Sequence, residues 1–336
     1  MEQPAAVSRG RLRSVLATFG TTLPMSAADS FRMTPSKFVA TRRSAIAAAG
    51  AAGLAWMSGL GRATTSTRSD VKPHEPTWLT YAVNAEMFWS NLPFEERLKR
   101  IAEAGFAHYE FWPWRNKNLD RVAELNRELG LKPVQFTAFW GITHPNRRDL
   151  FLNDLAEAIG VAQTLGLDLL TVVAGEESPG LPRDEQTRAV VETLRAGAEL
   201  VAPAGITLIL EPLNVLVDHP KQLVVTSQQA AQVIDAVGSP HVKILFDVYH
   251  QQISEGNLSG NIRAHKERIG YYQIADHPGR NEPFTGEIHY PHILKVIHET
   301  GQTRPIGLEL RPRRDPLQAL AAVRRADAEA RVLAQA

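Results

Sequence analysis

The sequence predicts an α/β fold of the (β/α)8 TIM barrel type, and three observations carry this prediction. Short apolar runs alternate with longer amphipathic stretches from about Leu79 onward. Eight strand–helix units fit into roughly 260 residues, the usual length of such a barrel. No Gly-rich phosphate turn follows the first strand, which is followed by Ala85-Glu86-Met87-Phe88. A doubly wound open sheet with a nucleotide site is therefore the less favoured alternative.

The eight predicted strands are spaced about 32 residues apart on average. The run Ile206-Thr207-Leu208-Ile209-Leu210 is continuously apolar or β-branched, which suits a strand buried on both faces of a parallel sheet. The predicted strands are Leu79–Asn84, Ala107–Phe111, Lys132–Thr137, Asp168–Ala174, Ile206–Glu211, Val242–Asp247, Gly270–Ala275 and Pro305–Leu310.

The segments between these strands carry the helical period. Phe94, Leu98 and Ile101 recur on one face, and Val122, Leu125 and Leu129 form a second stripe. Gly130 and Gly166 follow two of the stripes, where glycine is the usual residue after the end of a helix. The pattern therefore predicts helices that cover a parallel sheet.

The composition and charge exclude several classes of protein. The chain has 336 residues, 44% of them hydrophobic and 22% charged, which is typical of a globular protein. The first 70 residues hold nine Lys/Arg and three Asp/Glu, so the remainder carries a net charge of about −5. An acidic body argues against nucleic acid as a partner. The absence of Cys excludes disulfides, thiolate metal sites and a Cys nucleophile.

Residues 1–76 are predicted to be an N-terminal extension, and residues 77–336 the barrel. Arg42-Arg43 precede an uncharged, Ala/Gly-rich run over residues 44–61 and a polar linker, an order that resembles a twin-arginine export signal. We therefore expect export, to the periplasm. The run is too weakly apolar for stable membrane insertion. The alternative is an extension without export function, which would leave the protein cytoplasmic.

Oxygen-bearing side chains lie at the ends of the last four predicted strands. They are Glu211, Asp247, Gln273 and Glu309. In a (β/α)8 barrel the carboxyl ends of all strands meet at one mouth, where chemistry is carried out. Three carboxylates there would repel each other without a cation between them. Their oxygens suit Mg²⁺ or Mn²⁺, with Co²⁺ as a further option.

Two carboxylates beside a divalent cation are suited to moving a proton next to a carbonyl group. We assign Glu211 and Glu309 as the catalytic pair, because strands five and eight would bring them to a substrate from different sides. One would remove a proton to form an enediolate and the other would return it. The reaction is then a 1,2-isomerisation or an epimerisation of a small hydroxy-carbonyl compound.

Five further residues are predicted to bind the substrate. His250 would donate to a substrate oxygen, and Arg280 would hold an oxyanion or a carboxylate. Glu287 would bind hydroxyl groups, while Trp112 and Trp140 would exclude water. Each has an ordinary structural alternative: a surface histidine, a loop charge, a loop cap or core packing.

At these residues the chain resembles the hydroxypyruvate isomerase group of the xylose-isomerase-like barrel superfamily, which also contains ketose 3-epimerases. The resemblance implies a (β/α)8 fold, a divalent metal held at the four positions above, and proton transfer by the two Glu. Gln273 favours the isomerase group, since the epimerases usually have His there. The motifs that carry the resemblance are Glu110-Phe111-Trp112-Pro113-Trp114, Glu211-Pro212-Leu213-Asn214, Asp218-His219-Pro220, Phe246-Asp247-Val248-Tyr249-His250, Asp276-His277-Pro278-Gly279-Arg280 and Gly307-Leu308-Glu309.

The leading prediction is a metal-dependent isomerase that converts hydroxypyruvate to tartronate semialdehyde or a similar substrate. A ketose epimerase or a dehydratase could use the same site. An exported sugar-binding barrel without turnover is a third alternative. A homo-oligomer formed through exposed helix faces is also left open.

Overall fold

The computed structural model describes residues 76–336, which form a closed barrel of eight parallel strands. Each strand pairs with the next along the chain, and β8 closes the barrel on β1. The predicted (β/α)8 barrel is therefore confirmed, while the predicted export signal and most of the linker lie outside the described residues. The strands are β1 (Tyr81–Asn84), β2 (His108–Phe111), β3 (Lys132–Trp140), β4 (Leu169–Val173), β5 (Thr207–Glu211), β6 (Val242–Asp247), β7 (Ile269–Gln273) and β8 (Ile306–Leu308).

The described range contains nine α-helices, of which eight lie between strands and α9 follows β8. They are α1 (Phe94–Glu103), α2 (Leu119–Leu129), α3 (Arg148–Leu165), α4 (Arg183–Val201), α5 (Ser227–Val237), α6 (Val248–Ser254), α7 (Leu258–His265), α8 (Tyr290–Glu299) and α9 (Pro316–Gln335). None of the helices between residues 76 and 336 combines the length and apolarity needed to cross a bilayer.

The helix ends follow local sequence signals. Helix α5 begins with a capping box, in which the Thr226 hydroxyl accepts from the Gln229 backbone and the Gln229 side chain accepts from the Thr226 backbone. Helices α2 and α3 end at Gly130 and Gly166, with φ of 67° and 73°. This left-handed conformation disfavours residues with a side chain, so both predicted helix stops have a physical cause.

The strands bury both of their faces. Along β5, Leu208 and Leu210 belong to the large core cluster beneath the helices. Ile209 lies between them in sequence and belongs to a second, smaller cluster inside the barrel. The inner cluster consists of Ala82, Val134, Leu169, Ile209, Leu245 and Tyr271. Because successive side chains of a strand alternate between faces, the residue two positions further on returns to the barrel interior.

Of the eight predicted strands, only β6 has its predicted bounds, and the others differ by one to three residues at an end. Strand β3 continues three residues beyond the predicted end, to Trp140, with a register shift between Thr137 and Phe139. Such an irregularity interrupts the alternation from which a strand end is predicted. Strand β8 is shorter than predicted and ends at Leu308, so Glu309 lies just beyond it.

Candidate active site

The inner face of the strands leads directly to the predicted site residues. Glu211 lies two residues after Ile209, Asp247 two after Leu245, and Gln273 two after Tyr271. The first member of each pair belongs to the inner cluster. The second member therefore lies one layer higher, at the carboxyl end of the strand, where the mouth of the barrel opens.

Three of the four predicted metal ligands come together at this mouth. Carboxylate oxygens of Glu211, Asp247 and Glu309, together with a ring nitrogen of His250, lie within 4.8 Å of one another. All four side chains are buried. This proximity is the arrangement expected of residues that share a cation.

Gln273 completes the set from the neighbouring strand. It pairs in register with Asp247, and its Nε2 donates to Glu110 Oε1 at 2.9 Å. Its Oε1 is buried and has no hydrogen-bond partner among the residues described. A buried carbonyl oxygen without a partner, on the strand next to Asp247, and three carboxylates are donors that suit a hard divalent cation such as Mg²⁺ or Mn²⁺.

Arg280 places one positive charge next to the clustered carboxylates. Its Nη2 lies 2.5 Å from Glu309 Oε2 and 3.3 Å from Asp247 Oδ2. One guanidinium against the carboxylates of Glu211, Asp247 and Glu309 leaves a formal charge of about −2 at the mouth. A divalent cation would match this charge.

The raised pKa values of Asp247 and Glu211 reflect the same excess of negative charge. Burial raises the pKa of Asp247 to about 8, against the opposing effect of Arg280. Burial and the neighbouring charges of Glu309 and Asp247 raise the pKa of Glu211 well above its usual range. Both shifts mean that ionising these two carboxyl groups costs free energy unless a further positive charge lies nearby.

The tautomer of His250 is set by Asn214. Asn214 Oδ1 accepts from the backbone N–H groups of Val217 and Asp218 at 3.0 and 3.2 Å, so its Nδ2 is a donor. This Nδ2 lies 2.7 Å from His250 Nδ1, which must then accept. The hydrogen-bond network thus assigns the proton of the neutral imidazole to Nε2.

His250 therefore presents a donor to the site rather than a metal ligand. Its Nε2 lies 3.6 Å from Asp247 Oδ2 and 3.9 Å from Glu211 Oε1. Nε2 has no hydrogen-bond partner within the described structure. Burial and the charge of Arg280 lower the pKa of His250, so the ring is neutral at physiological pH. This geometry suits the predicted role of donating to a substrate oxygen.

Of the other three predicted substrate-binding residues, Trp112 contacts a clustered carboxylate directly, while Trp140 and Glu287 do not. The Trp112 indole N–H donates to Glu309 Oε1 at 2.6 Å, so this tryptophan is part of the site. Trp140 is partly exposed and contacts the His219 ring, which in turn contacts His250. Glu287 is exposed, accepts from Gln252 at 3.0 Å, and is not one of the clustered carboxylates.

Two residues that hold the site in place, Glu110 and Asn214, lie in the motifs that carry the resemblance, but no role in the site was predicted for them. Glu110 ends the inner face of β2 and bonds Gln273, and Asn214 orients His250. Glu110 carries the same signal as the predicted ligands, a carboxylate at the end of an apolar strand. Reading the ends of the first four strands as well would have found it. Asn214 lies in a loop after β5, where no strand alternation identifies it.

The fold and the site together define a class: a (β/α)8 barrel with a buried cluster of carboxylates at the carboxyl ends of its strands. More particularly, the chain belongs to the xylose isomerase-like TIM barrel family, whose profile matches residues 98–335.

Relatives in this family include named isomerases. The chain is 33% identical to the 2-oxo-tetronate isomerase of Pectobacterium atrosepticum, over 69% of this chain and 92% of that relative. It is 31% identical to the hydroxypyruvate isomerase of Escherichia coli K12, over 70% of this chain and 94% of that relative. Among solved structures, an AP endonuclease of family 2 from Brucella melitensis superposes with a TM-score of 0.70 at 29% identity, covering 72% of this chain and 97% of that one. The predicted resemblance to hydroxypyruvate isomerases is thus confirmed.

Proposed function

We propose that this protein is a divalent-metal-dependent isomerase of small 2-keto-3-hydroxy acids, with hydroxypyruvate to tartronate semialdehyde as the reference reaction. The observation that carries the proposal is the convergence of three buried carboxylates, from Glu211, Asp247 and Glu309. On the neighbouring strand, Gln273 offers a buried Oε1 that has no hydrogen-bond partner within residues 76–336. The isomerase names of relatives about 30% identical to this chain support the same reaction type.

The cation would be held by oxygens of Glu211, Asp247, Gln273 and Glu309. When bound, Mg²⁺ or Mn²⁺ would supply positive charge beside the carbonyl and hydroxyl oxygens of the substrate and so lower the free energy of an enediolate. Proton transfer and substrate binding would be carried out by the side chains around the cation.

Glu211 and Glu309 would move the proton. Strands β5 and β8 are three positions apart in the closed barrel, so the two carboxylates come from different sides of the mouth. One accepts the proton from the hydroxymethyl carbon, and the other delivers a proton to the former keto carbon. The hydroxyl proton passes to the former carbonyl oxygen, which completes the conversion of ketone to aldehyde. Trp112 and Arg280 fix the orientation of Glu309 by donating to its two oxygens.

Arg280 and His250 would bind the substrate oxygens. The Arg280 Nε is buried and has no hydrogen-bond partner among the described residues, which is costly unless an anion accepts from it. A substrate carboxylate is such an acceptor. The Nε2–H of His250 would donate to an oxygen nearer the carboxylates. Trp112 and Trp140 would limit the access of water.

An assay with hydroxypyruvate in deuterated water tests the proposal. The Mn²⁺-loaded protein is expected to form tartronate semialdehyde with solvent deuterium on the former keto carbon, measured by NMR. Removing the metal with EDTA should abolish turnover. Replacing Glu309 with Gln should lower kcat by about 10²–10⁴-fold, the usual contribution of a general acid or base. The exposed Glu192→Gln on α4 is the matched control.

The same assay, repeated with a ketose as substrate, identifies the alternatives. Deuterium at C3 of the ketose, without conversion of hydroxypyruvate, would indicate an epimerase. Loss of a hydroxyl group would indicate a dehydratase. Binding without any turnover would indicate a sugar-binding barrel, and turnover that survives EDTA would contradict metal dependence.

A further inference from the structure

Glu110 is a buried carboxylate that the proposed reaction does not use. It lies at the inner face of β2, is 0% exposed, and is not one of the four residues whose ligand atoms cluster within 4.8 Å. Burying an ionised carboxylate costs several kcal/mol unless hydrogen bonds compensate it. Its position directly beside the candidate site therefore requires a physical explanation.

Four side chains donate to the two oxygens of Glu110. Asn84 Nδ2 and Gln273 Nε2 donate to Oε1 at 3.0 and 2.9 Å. Gln135 Nε2 and the Tyr271 hydroxyl donate to Oε2 at 3.1 and 2.8 Å. Each oxygen thus accepts two bonds, which is the full use of an acceptor-only carboxylate.

One of the amides has no freedom to reverse. Asn84 Oδ1 accepts from the backbone N–H groups of Glu86 and Met87, so its Nδ2 must point to Glu110. Gln135 Oε1 accepts from the Thr171 hydroxyl at 2.6 Å, and its Nε2 donates to Glu110. A hydroxyl can also accept, so this contact does not by itself fix the Gln135 amide.

Among the described residues, the Gln273 side chain has no hydrogen-bond partner other than Glu110, so its orientation depends on this carboxylate. Because the carboxylate only accepts, it selects the N–H end of the Gln273 amide and leaves Oε1 on the opposite side. That Oε1 is buried, has no hydrogen-bond partner among the described residues, and belongs to the residue that pairs in register with Asp247 of the carboxylate cluster. Gly307 provides the room, since a Cβ there would lie 2.6 Å from Glu110 Oε2 and 2.7 Å from Gln273 Cγ.

We propose that Glu110 is a positioning residue for the metal site: it holds the Gln273 amide with Oε1 turned toward the cation. The inference rests on the proposed function, because it requires that Gln273 Oε1 be a metal ligand. Substitution of Glu110 would then weaken metal binding although Glu110 itself does not touch the metal.

The affinity of the full chain for Mn²⁺, measured by EPR titration after removal of metal, tests this inference. In Glu110→Leu, a side chain of similar size, no acceptor remains for the Gln273 N–H group, so the Gln273 amide can reverse. The Kd for Mn²⁺ should rise by about 10–100-fold, the usual effect of losing a partner of a metal ligand. Glu110→Asp keeps the charge but is too short to reach Gln273, and should weaken binding similarly.

Tyr271→Phe is the matched control. It removes another hydrogen bond to Glu110 but leaves the Gln273 bond intact. A purely structural role of the network predicts similar losses in all three variants, whereas the positioning role predicts a Kd within about threefold of the parent for Tyr271→Phe. In a Gln273→Ala background, Glu110→Leu should have little further effect on the Kd.

The outcomes separate this inference from the proposed function. If the parent protein binds no Mn²⁺, the proposed function fails and this inference with it. If the parent binds Mn²⁺ and the Glu110 variants bind it equally well, or no more weakly than Tyr271→Phe, the positioning role is wrong while the metal site stands.

Discussion

Burial decides what each ionisable side chain at the barrel mouth can do. Glu211 and Asp247 have raised pKa values because they are removed from water beside other carboxylates. His250 has a lowered pKa because it is buried near Arg280. The sequence identified these residue types at the ends of strands, but their protonation depends on neighbours that come from other strands. Such contacts are set by the closed barrel and leave no local signal.

Glu211→Gln should stabilise the metal-free protein, and increasingly so as the pH rises. The pKa of Glu211 is raised in the native state, so the native state binds this proton more tightly than the unfolded state. The ionised carboxylate therefore destabilises the fold above the unfolded pKa of about 4.5, and the penalty grows toward higher pH. We expect the Tm of the metal-free variant to exceed that of the parent by roughly 2–4 °C at pH 8 for each kcal/mol relieved.

Thermal unfolding with EDTA at pH 5 and pH 8 measures this effect. The gain should be smaller at pH 5, and Glu192→Gln on the exposed face of α4 should change the Tm little at either pH. A Tm of Glu211→Gln below that of the parent at pH 8 would mean that the Glu211 carboxylate is not under electrostatic strain.

At the scale of elements, the strand ends were predictable and the loop after β7 was not. Successive strands place Glu211, Asp247 and Gln273 on the inner face by alternation alone. Arg280 instead reaches the site from a loop in which Asp276 accepts backbone N–H bonds from Thr285, Gly286 and Ile288. These bonds close a loop of irregular backbone, which periodic patterns do not describe.

Asp276→Ala should loosen this loop and with it Arg280. Three backbone N–H groups would lose a charged acceptor, for a cost of about 3 kcal/mol or more. The Tm should fall by several degrees and kcat/KM for the isomerase reaction by at least about tenfold.

Asp168→Ala is the control for this variant, because Asp168 is an exposed carboxylate that pairs with Arg304. Exposed pairs contribute at most about 1 kcal/mol, so both its Tm and its kcat/KM should stay near the parent values. Full activity of Asp276→Ala would show that the loop does not position Arg280.

At the scale of the whole molecule, the barrel followed from its eight repeated units. Buried parallel strands, glycines after helices and polar strand ends all indicated the same architecture, and the closed sheet confirms it. The hydrogen bonds that hold the site residues in place could not be predicted in this way. Glu110 and Gln273 are 163 residues apart in sequence, and only closure of the barrel brings them into contact.

The central claim, that the barrel mouth is a divalent-cation site, is tested most directly by the stoichiometry of Mn²⁺ binding. Equilibrium dialysis of the metal-free protein should give about one Mn²⁺ per chain. Asp247→Asn should lose this binding, because Asp247 is fully buried among the other carboxylates. No binding by the parent chain, or equal binding by Asp247→Asn, would contradict the account.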